Sequence, residues 1–302
     1  MHVGVDIGGT KVLAVEVTGS GDDLAVAASA QVPMPGRDAP DAEVEEAVAR
    51  AALDVAAGRP LAAVGVSAAG LVDRERERVR FAAHLPWRDA PVRARLAALL
   101  GTTVVLDNDA NCAAHAELVA GALRGTSAAL LVTVGTGIGG AVVVDGRVHR
   151  GANGLAGEFG HVQVVPDGLQ CECGLKGCWE QYCSGRALER LTRVTLGSHL
   201  DGREVATLAR EGDRTAREAF ATIGTWLGVG IAGLVSAYDP EVVVVGGGVS
   251  AVGDLLLEPA RSALVGALQG TAYREVPAVV PTRFGPEAGA VGAALMAAEA
   301  RR

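Results

Sequence analysis

The sequence predicts an α/β protein of two related lobes, and three observations carry that prediction. A strand, a glycine turn and a second strand follow one another at residues 3–17, and the same succession returns at residues 128–144. Along the rest of the chain, helical apolar stripes alternate with short apolar strands. The length of 302 residues, 49% of them hydrophobic, suffices for two lobes with separate cores. We read the recurrence as a duplication in which the lobes face each other across a cleft. The expected N-terminal lobe is residues 1–107 plus 287–302, and the expected C-terminal lobe is residues 108–286.

Val3, Val5 and Ile7 alternate with smaller or polar residues before Gly8-Gly9 turns the chain into a second strand at residues 12–17. Asp41 is placed to cap a helix that carries Val44, Val48, Ala51, Ala52 and Val55 on one face. Residues 61–67 read as a strand. Residues 89–100 read as a helix with Asp89 as N-cap, Pro91 in its first turn, an apolar stripe of Val92, Leu96, Leu99 and Leu100, and Gly101 just past its end. A short strand at 103–106 leads to a helix starting near Asn108. Strands at 128–134 and 141–144 flank the second glycine turn, and a long helix over about 213–238 stacks Phe220, Ile223, Leu227, Ile231 and Leu234 until Pro240 stops it. A buried strand at 241–245, a helix, a strand near 276–280 and an Ala-rich helix over about 286–300 complete the chain.

Aromatic residues are only 3%, so Ala, Val and Leu must fill most of the core. Thirty-five acidic against 27 basic residues give a net charge of −8 with no basic run, which argues against nucleic acid and anionic membranes as partners. The N-terminus opens on an apolar strand pattern without a charged n-region, so no signal peptide is expected. No apolar stretch is both long enough and Gly-poor enough to span a membrane. Five cysteines, three of them clustered, argue against a secreted disulfide framework and for a cytoplasmic protein.

Four motifs carry chemistry. Asp6-Ile7-Gly8-Gly9-Thr10-Lys11 follows a strand; its glycines admit a phosphate to the backbone, Thr10 offers a hydroxyl, and Asp6 can reach Mg²⁺ through water, although the same run also makes a plain hairpin turn. Residues 135–140 match G-x-G-x-x-G, yet a strand follows, so the dinucleotide fingerprint fails its context and a phosphate-facing hairpin around Thr136 and Gly137 suits it better. At Gly246-Gly247-Gly248 the glycines leave space for a flat purine, or form a simple strand-to-helix turn. Asn108-Asp109-Ala110-Asn111 lies at the carboxyl end of a strand, the edge where open α/β sheets bind ligands. There the helix N-terminus is expected to keep Asp109 charged at neutral pH, as a base for an attacking hydroxyl requires, while helix capping is the other use of Asn and Asp at that position.

The most specific element is the segment 157–185. His161, Cys171, Cys173 and Cys178 have the types and spacing of a closed four-ligand zinc site, structural rather than catalytic, set between Glu158 and Glu180; the alternative is scattered buried thiols. His161 can ligate through one ring nitrogen and keep the other for substrate. Cys112 and Cys183 lack such grouping and read as small core residues.

Taken together, D-I-G-G-T-K (6–11), L-D-N-D-A-N (106–111), G-T-G-I-G-G (135–140), G-E-F-G-H (157–161), C-E-C-G-L-K-G-C-W-E-Q-Y (171–182) and G-G-G-V-S (246–250) resemble the ROK family of sugar kinases, nearest its bacterial ATP-dependent glucokinases. The resemblance implies a two-lobed, actin-like or hexokinase-type (ribonuclease H-like) ATPase fold with a structural Zn²⁺. It implies transfer of the γ-phosphate of Mg²⁺-ATP to the 6-hydroxyl of glucose or a related hexose, in a homodimer or homotetramer. By the same resemblance Asp109 is the catalytic base, and Asn108, Asp109, Glu158, His161, Glu180 and Gly70 contact the sugar. Asp6, Gly8, Gly9, Thr10, Lys11, Thr136, Gly137, Gly247 and Gly248 contact ATP. The loop Ser67-Ala68-Ala69-Gly70 departs from the more widespread proline-containing form, and Cys112 stands where a small Ala is common. Kinases of the family acting on N-acetylmannosamine, N-acetylglucosamine or fructose are the alternatives, and residues 179–185 look more like glucokinases than like these. The family also includes sugar-sensing repressors with an N-terminal DNA-binding region; a first strand beginning by residue 3 and the presence of Asp109 favour a kinase.

Overall fold

The computed structural model describes residues 1–36, 38–196 and 200–300. The chain divides into two compact units: Met1–Thr126, Ala141–Gly157 and Thr282–Arg302 in the first, and Ser127–Gly140 with Glu158–Pro281 in the second. Residues 108–126, 141–157 and 282–286, expected in the C-terminal lobe, thus fall in the first unit, and Arg301 and Arg302 lie outside the described residues. In chain order the elements are β1 (His2–Ile7), β2 (Lys11–Thr18), β3 (Ala25–Pro33), α1 (Asp41–Ala56), β4 (Ala63–Ala68), β5 (Leu71–Val72), β6 (Val79–Phe81), β7 (Arg88–Ala90), α2 (Val92–Leu100), β8 (Thr103–Asn108) and α3 (Asp109–Ala120). They continue as β9 (Ala129–Val134), β10 (Ile138–Val144), β11 (Arg147–His149), α4 (Glu180–Cys183), α5 (Gly185–Leu196), α6 (Gly202–Glu211), α7 (Arg214–Tyr238), β12 (Val242–Gly246), α8 (Asp254–Ala267), β13 (Ala278–Pro281) and α9 (Ala288–Glu299).

The first sheet has the order β3-β2-β1-β4-β8, with β1–β2 and β2–β3 antiparallel and β1–β4 and β4–β8 parallel. The second has the order β11-β10-β9-β12-β13, with β9–β12 and β12–β13 parallel and β10–β11 antiparallel. The position of each strand in one sheet is repeated in the other, as a duplication requires. In β1 the alternating Val3, Val5 and Ile7 are fully buried. The Ala-rich α9 lies directly on the sheet backbone: a Cβ on Gly4 would come 1.9 Å from the Ala290 oxygen, and one on Gly65 1.8 Å from the Ala293 oxygen. Small residues on both partners allow that approach, which explains how a core so poor in aromatics stays close-packed.

Two helix starts differ from the sequence reading. Pro40 holds the cap position of α1, and Asp41 is its first residue, where with Glu43 it complements the positive helix end without a side-chain cap bond. Asp89 belongs to β7 and not to a helix; its carboxylate is held by Arg78 (3.1 Å) and Arg80 (2.7 Å), and α2 begins only at Val92 after Pro91. In that shorter helix Val92 and Leu96 are buried, whereas Leu99 is exposed. Among the described helices α7, of 25 residues and with a window of mean hydropathy 1.6, is long and apolar enough to cross a membrane. Its apolar face is nonetheless packed inside the second unit: Phe220, Ile223, Leu227 and Ile231 are fully buried, and Gly224 and Gly228 let the backbone of α8 approach at Leu256 and Ala260.

Candidate active site

In the first unit β8 delivers Asn108 and Asp109 to the start of α3. Asn108 is the cap: its Oδ1 accepts the N–H groups of Ala110 (2.9 Å) and Asn111 (3.2 Å), while its Nδ2 donates to the Gly70 carbonyl (3.1 Å). Asp109 is therefore not needed for capping, although its Oδ1 accepts the Ala110 N–H at 2.9 Å. Burial raises the pKa of the Asp109 carboxyl, and the backbone and Asn108 hydrogen bonds offset this only in part. The helix end thus does not set the direction of the shift; burial does. On β1, Asp6 accepts a 2.5 Å hydrogen bond from Ser67 Oγ, its register partner on β4. Asp6 is pushed up to about 6, chiefly by burial and in part by the charge of Asp109, while the Ser67 hydrogen bond and Lys11 pull the other way. Asp6, Lys11 and Asp109 therefore share one electrostatic neighbourhood.

The glycine turn between β1 and β2 closes with the Gly8 N–H on the Lys11 carbonyl at 3.0 Å. Neither Gly8 nor Gly9 has a left-handed φ, and a Cβ on either would make only ordinary contacts, so the fold itself does not demand glycine at these two positions. At Gly247 the fold does demand it: φ is +85°, and a Cβ would come 2.5 Å from the Val134 oxygen.

One pair at this edge joins a residue of the 106–111 motif to an arginine that no sequence motif marks. The buried Asp107 takes two hydrogen bonds on Oδ2 from Arg150, from Nε at 2.9 Å and from Nη2 at 2.5 Å. Its Oδ1 accepts the Asn108 N–H (2.9 Å) and the Asn111 amide (3.2 Å). Arg150 thereby braces the first turn of α3 from a segment that is distant in sequence, and only spatial proximity reveals it.

In the second unit the four expected metal ligands converge, with donor atoms of His161, Cys171, Cys173 and Cys178 all within 4.8 Å of one another. Cys173 Sγ lies 3.6 Å from Cys178 Sγ, and Cys171 Sγ lies 3.8 Å from His161 Nδ1. A tetrahedral zinc with Zn–S bonds of about 2.3 Å puts its sulfurs about 3.8 Å apart, so the donor set and spacing fit such an ion. Residues 162–178 contain no helix or strand; the loop is closed by bonds such as Cys171 N–H to the Leu175 carbonyl (2.8 Å) and Gly177 N–H to the Leu169 carbonyl (2.8 Å). Glu180 opens α4, its Oε1 3.1 Å from Cys171 Sγ, and a Cβ on Gly137 would touch its Oε2 at 2.5 Å. The expected sugar carboxylate and the expected phosphate turn are therefore neighbours within this unit. Glu158 is exposed, just before the short helical turn Phe159–His161.

Trp179 anchors the segment to α7. It is buried, its Nε1 donates to the Trp226 carbonyl at 2.8 Å, and its ring lies where a Cβ on Gly230 would be, at 2.0 Å. Gly230→Ala is expected to destabilise the protein by roughly 1–3 kcal/mol or more, because a fully buried indole must move; chemical denaturation measures this, and unchanged stability would show that the ring repacks freely.

The repeated sheet, with a glycine turn leaving the first strand of each copy, defines a two-unit ATPase fold of the sugar-kinase class. A family profile described as ROK family matches residues 2–300, and the chain belongs to that family. It is similar to the glucokinase of Streptomyces coelicolor, 39% identical over 316 aligned positions that cover 99% of this chain and 98% of the relative. The N-acetyl-D-glucosamine kinase of Haemophilus influenzae is 32% identical, covering 98% of this chain and 99% of the relative. Among solved structures, a ROK family glucokinase from Streptomyces griseus in complex with glucose and AMPPNP matches with a TM-score of 0.92 at 38% identity, over 99% of each chain.

Proposed function

We propose that this protein is an ATP-dependent hexose kinase that converts glucose to glucose 6-phosphate. The observation that carries the reading is Asp109: a part-buried carboxylate at the carboxyl edge of the first sheet, released from capping by Asn108 and raised in pKa by its surroundings. Full-length similarity to glucokinases, one of them bound to glucose and AMPPNP, supports it. In the proposed reaction Asp109 accepts the proton of the 6-hydroxyl as that oxygen attacks the γ-phosphorus. The bond from the γ-phosphorus to the bridging oxygen breaks, and ADP leaves. Asn108, Gly70, Glu158, Glu180 and His161 hold the sugar hydroxyls. Lys11, Thr10, Thr136 and the amides of Gly8, Gly9 and Gly137 face the phosphates, Gly247 and Gly248 give room to the purine, and Asp6 serves the Mg²⁺ that accompanies ATP.

We also propose that His161, Cys171, Cys173 and Cys178 hold Zn²⁺. Its contribution when bound is structural: it fixes a loop that has no regular structure of its own, with Glu158 before it and Glu180 after it. The expected assembly is a cytoplasmic homodimer or homotetramer.

The test is ADP release by purified protein with Mg²⁺-ATP, comparing glucose with N-acetylglucosamine and N-acetylmannosamine at equal concentration. A rate with glucose at least about 10-fold above the others is expected. A preference for an N-acetylhexosamine would keep the Asp109 chemistry and replace the substrate.

A further inference from the structure

The first unit contains a cavity of about 1100 Å³ that belongs to none of the residues assigned above to sugar, ATP or metal. It opens beside β8, the edge strand of the first sheet. Val105, Leu118 and Met296 belong to its apolar lining, and Arg76, Arg93, Arg147 and Arg150 to its polar lining. Most of its charges pair off. Arg150 is spent on Asp107 at 2.5 Å, and Arg93 pairs with Glu77 at 2.6 Å. Glu299, the carboxylate in the lining, meets His115 at 3.2 Å. Arg76 reaches a carboxylate only at 3.8 Å, and that one is the Asp107 oxygen already held by Arg150. Arg147 has no ion pair among the described residues.

Two guanidiniums therefore face this cavity without a carboxylate of their own, in a chain of net charge −8. Arg76 is also held in place: it sits at φ +56° in a turn whose Asp73 carbonyl accepts the Arg76 N–H (3.0 Å) and whose Asp73 carboxylate accepts the N–H groups of Glu77 and Arg78. A planar guanidinium fork matches the oxygens of a phosphate, and an apolar lining matches a carbon body.

We propose that this cavity is a binding site for a small phosphate monoester with an apolar body, its oxyanion on Arg76 and Arg147. Arg150 also lines the cavity, shares the Asp107 Oδ2 with Arg76 and braces Asp107, which in turn holds Asn108 and Asn111. An oxyanion that draws on Arg150 loosens that brace, so the occupant lowers turnover without competing with either substrate. The effect on turnover rests on the kinase reading; the binding does not, so the two fail separately.

Calorimetry with the whole protein tests it, using phenyl phosphate and inorganic phosphate as probes. Phenyl phosphate is expected to bind more tightly than inorganic phosphate, and Arg147→Glu, at an exposed position, is expected to weaken it about 10-fold or more while leaving basal kcat unchanged. In kinetics phenyl phosphate is expected to inhibit noncompetitively toward ATP and hexose. Absence of binding at millimolar concentration, equal binding by Arg147→Glu, or competition with ATP or hexose would overturn the site. Binding to the arginines with kcat untouched would overturn the link through Arg150.

Discussion

Asp109→Asn is expected to lower kcat for hexose phosphorylation by about 10²-fold or more, with a much smaller change in hexose KM. Asparagine keeps the shape of the side chain and an oxygen that can accept the Ala110 N–H, so the first turn of α3 keeps its bonds. What it loses is the ability to take a proton. A second readout separates this from a folding defect. The folded pKa of Asp109 is raised, so its charged form is less favourable in the native protein than in the unfolded chain. Whatever stability it contributes is present below the ordinary carboxylate pKa and is lost as pH rises through the raised value. Removing the charge should therefore leave stability equal or slightly higher at neutral pH and unchanged in acid. The pH profile follows the same sign: kcat/KM of the parent protein should fall on the acid side with an apparent pKa above that of an ordinary aspartate, and burial raises the neighbouring Asp6 as well, to about 6. A variant that retains nearly full kcat would remove Asp109 from the mechanism.

Local pattern made much of this molecule legible. The β1–β2 and β9–β10 turns, the capped start of α3 and the four convergent ligands all lie in short continuous runs, where spacing alone determines geometry. What was not legible depends on distant neighbours. Asp89 and Pro91 look like a helix start, but Arg78 and Arg80 hold the Asp89 carboxylate within β7, at a left-handed backbone position of φ +48°. The direction of the Asp109 pKa followed the helix end on paper; in the fold, desolvation outweighs the backbone hydrogen bonds and raises it. The brace of Asp107 by Arg150 spans 43 positions and has no signature, because an arginine after a β-hairpin is unremarkable until the carboxylate it meets is known. Gly230 is a similar case: a glycine inside a helix reads as a weakness, and only the indole of Trp179 against it supplies the reason.

Cys173→Ser is expected to release bound zinc and raise hexose KM by about 10-fold or more, with a smaller fall in kcat. Cys173 is the exposed member of the four, so its replacement leaves no core cavity, and any large effect must pass through the metal. The loop it helps to close has no helix or strand from 162 to 178 and is otherwise held by scattered hydrogen bonds, among them the short bridges at Gln163–Cys178 and Gln170–Lys176 and the Leu169 N–H on the Tyr182 hydroxyl. Loops of that length without structure of their own are uncommon in compact domains unless something pins them. Glu180 follows directly on the ligand Cys178 and the anchored Trp179, and its carboxylate stands beside Cys171 and Gly137. Loss of one ligand therefore frees the carboxylates proposed to orient the sugar, while Asp109, seated on β8 and α3 of the first unit, keeps its own hydrogen bonds. KM should respond more than kcat, the reverse of Asp109→Asn. Metal content of the purified variant, thermal unfolding with and without chelator, and hexose KM measured together decide it. A zinc-free preparation with unchanged hexose KM would mean that the backbone bridges alone set the positions of Glu158 and Glu180.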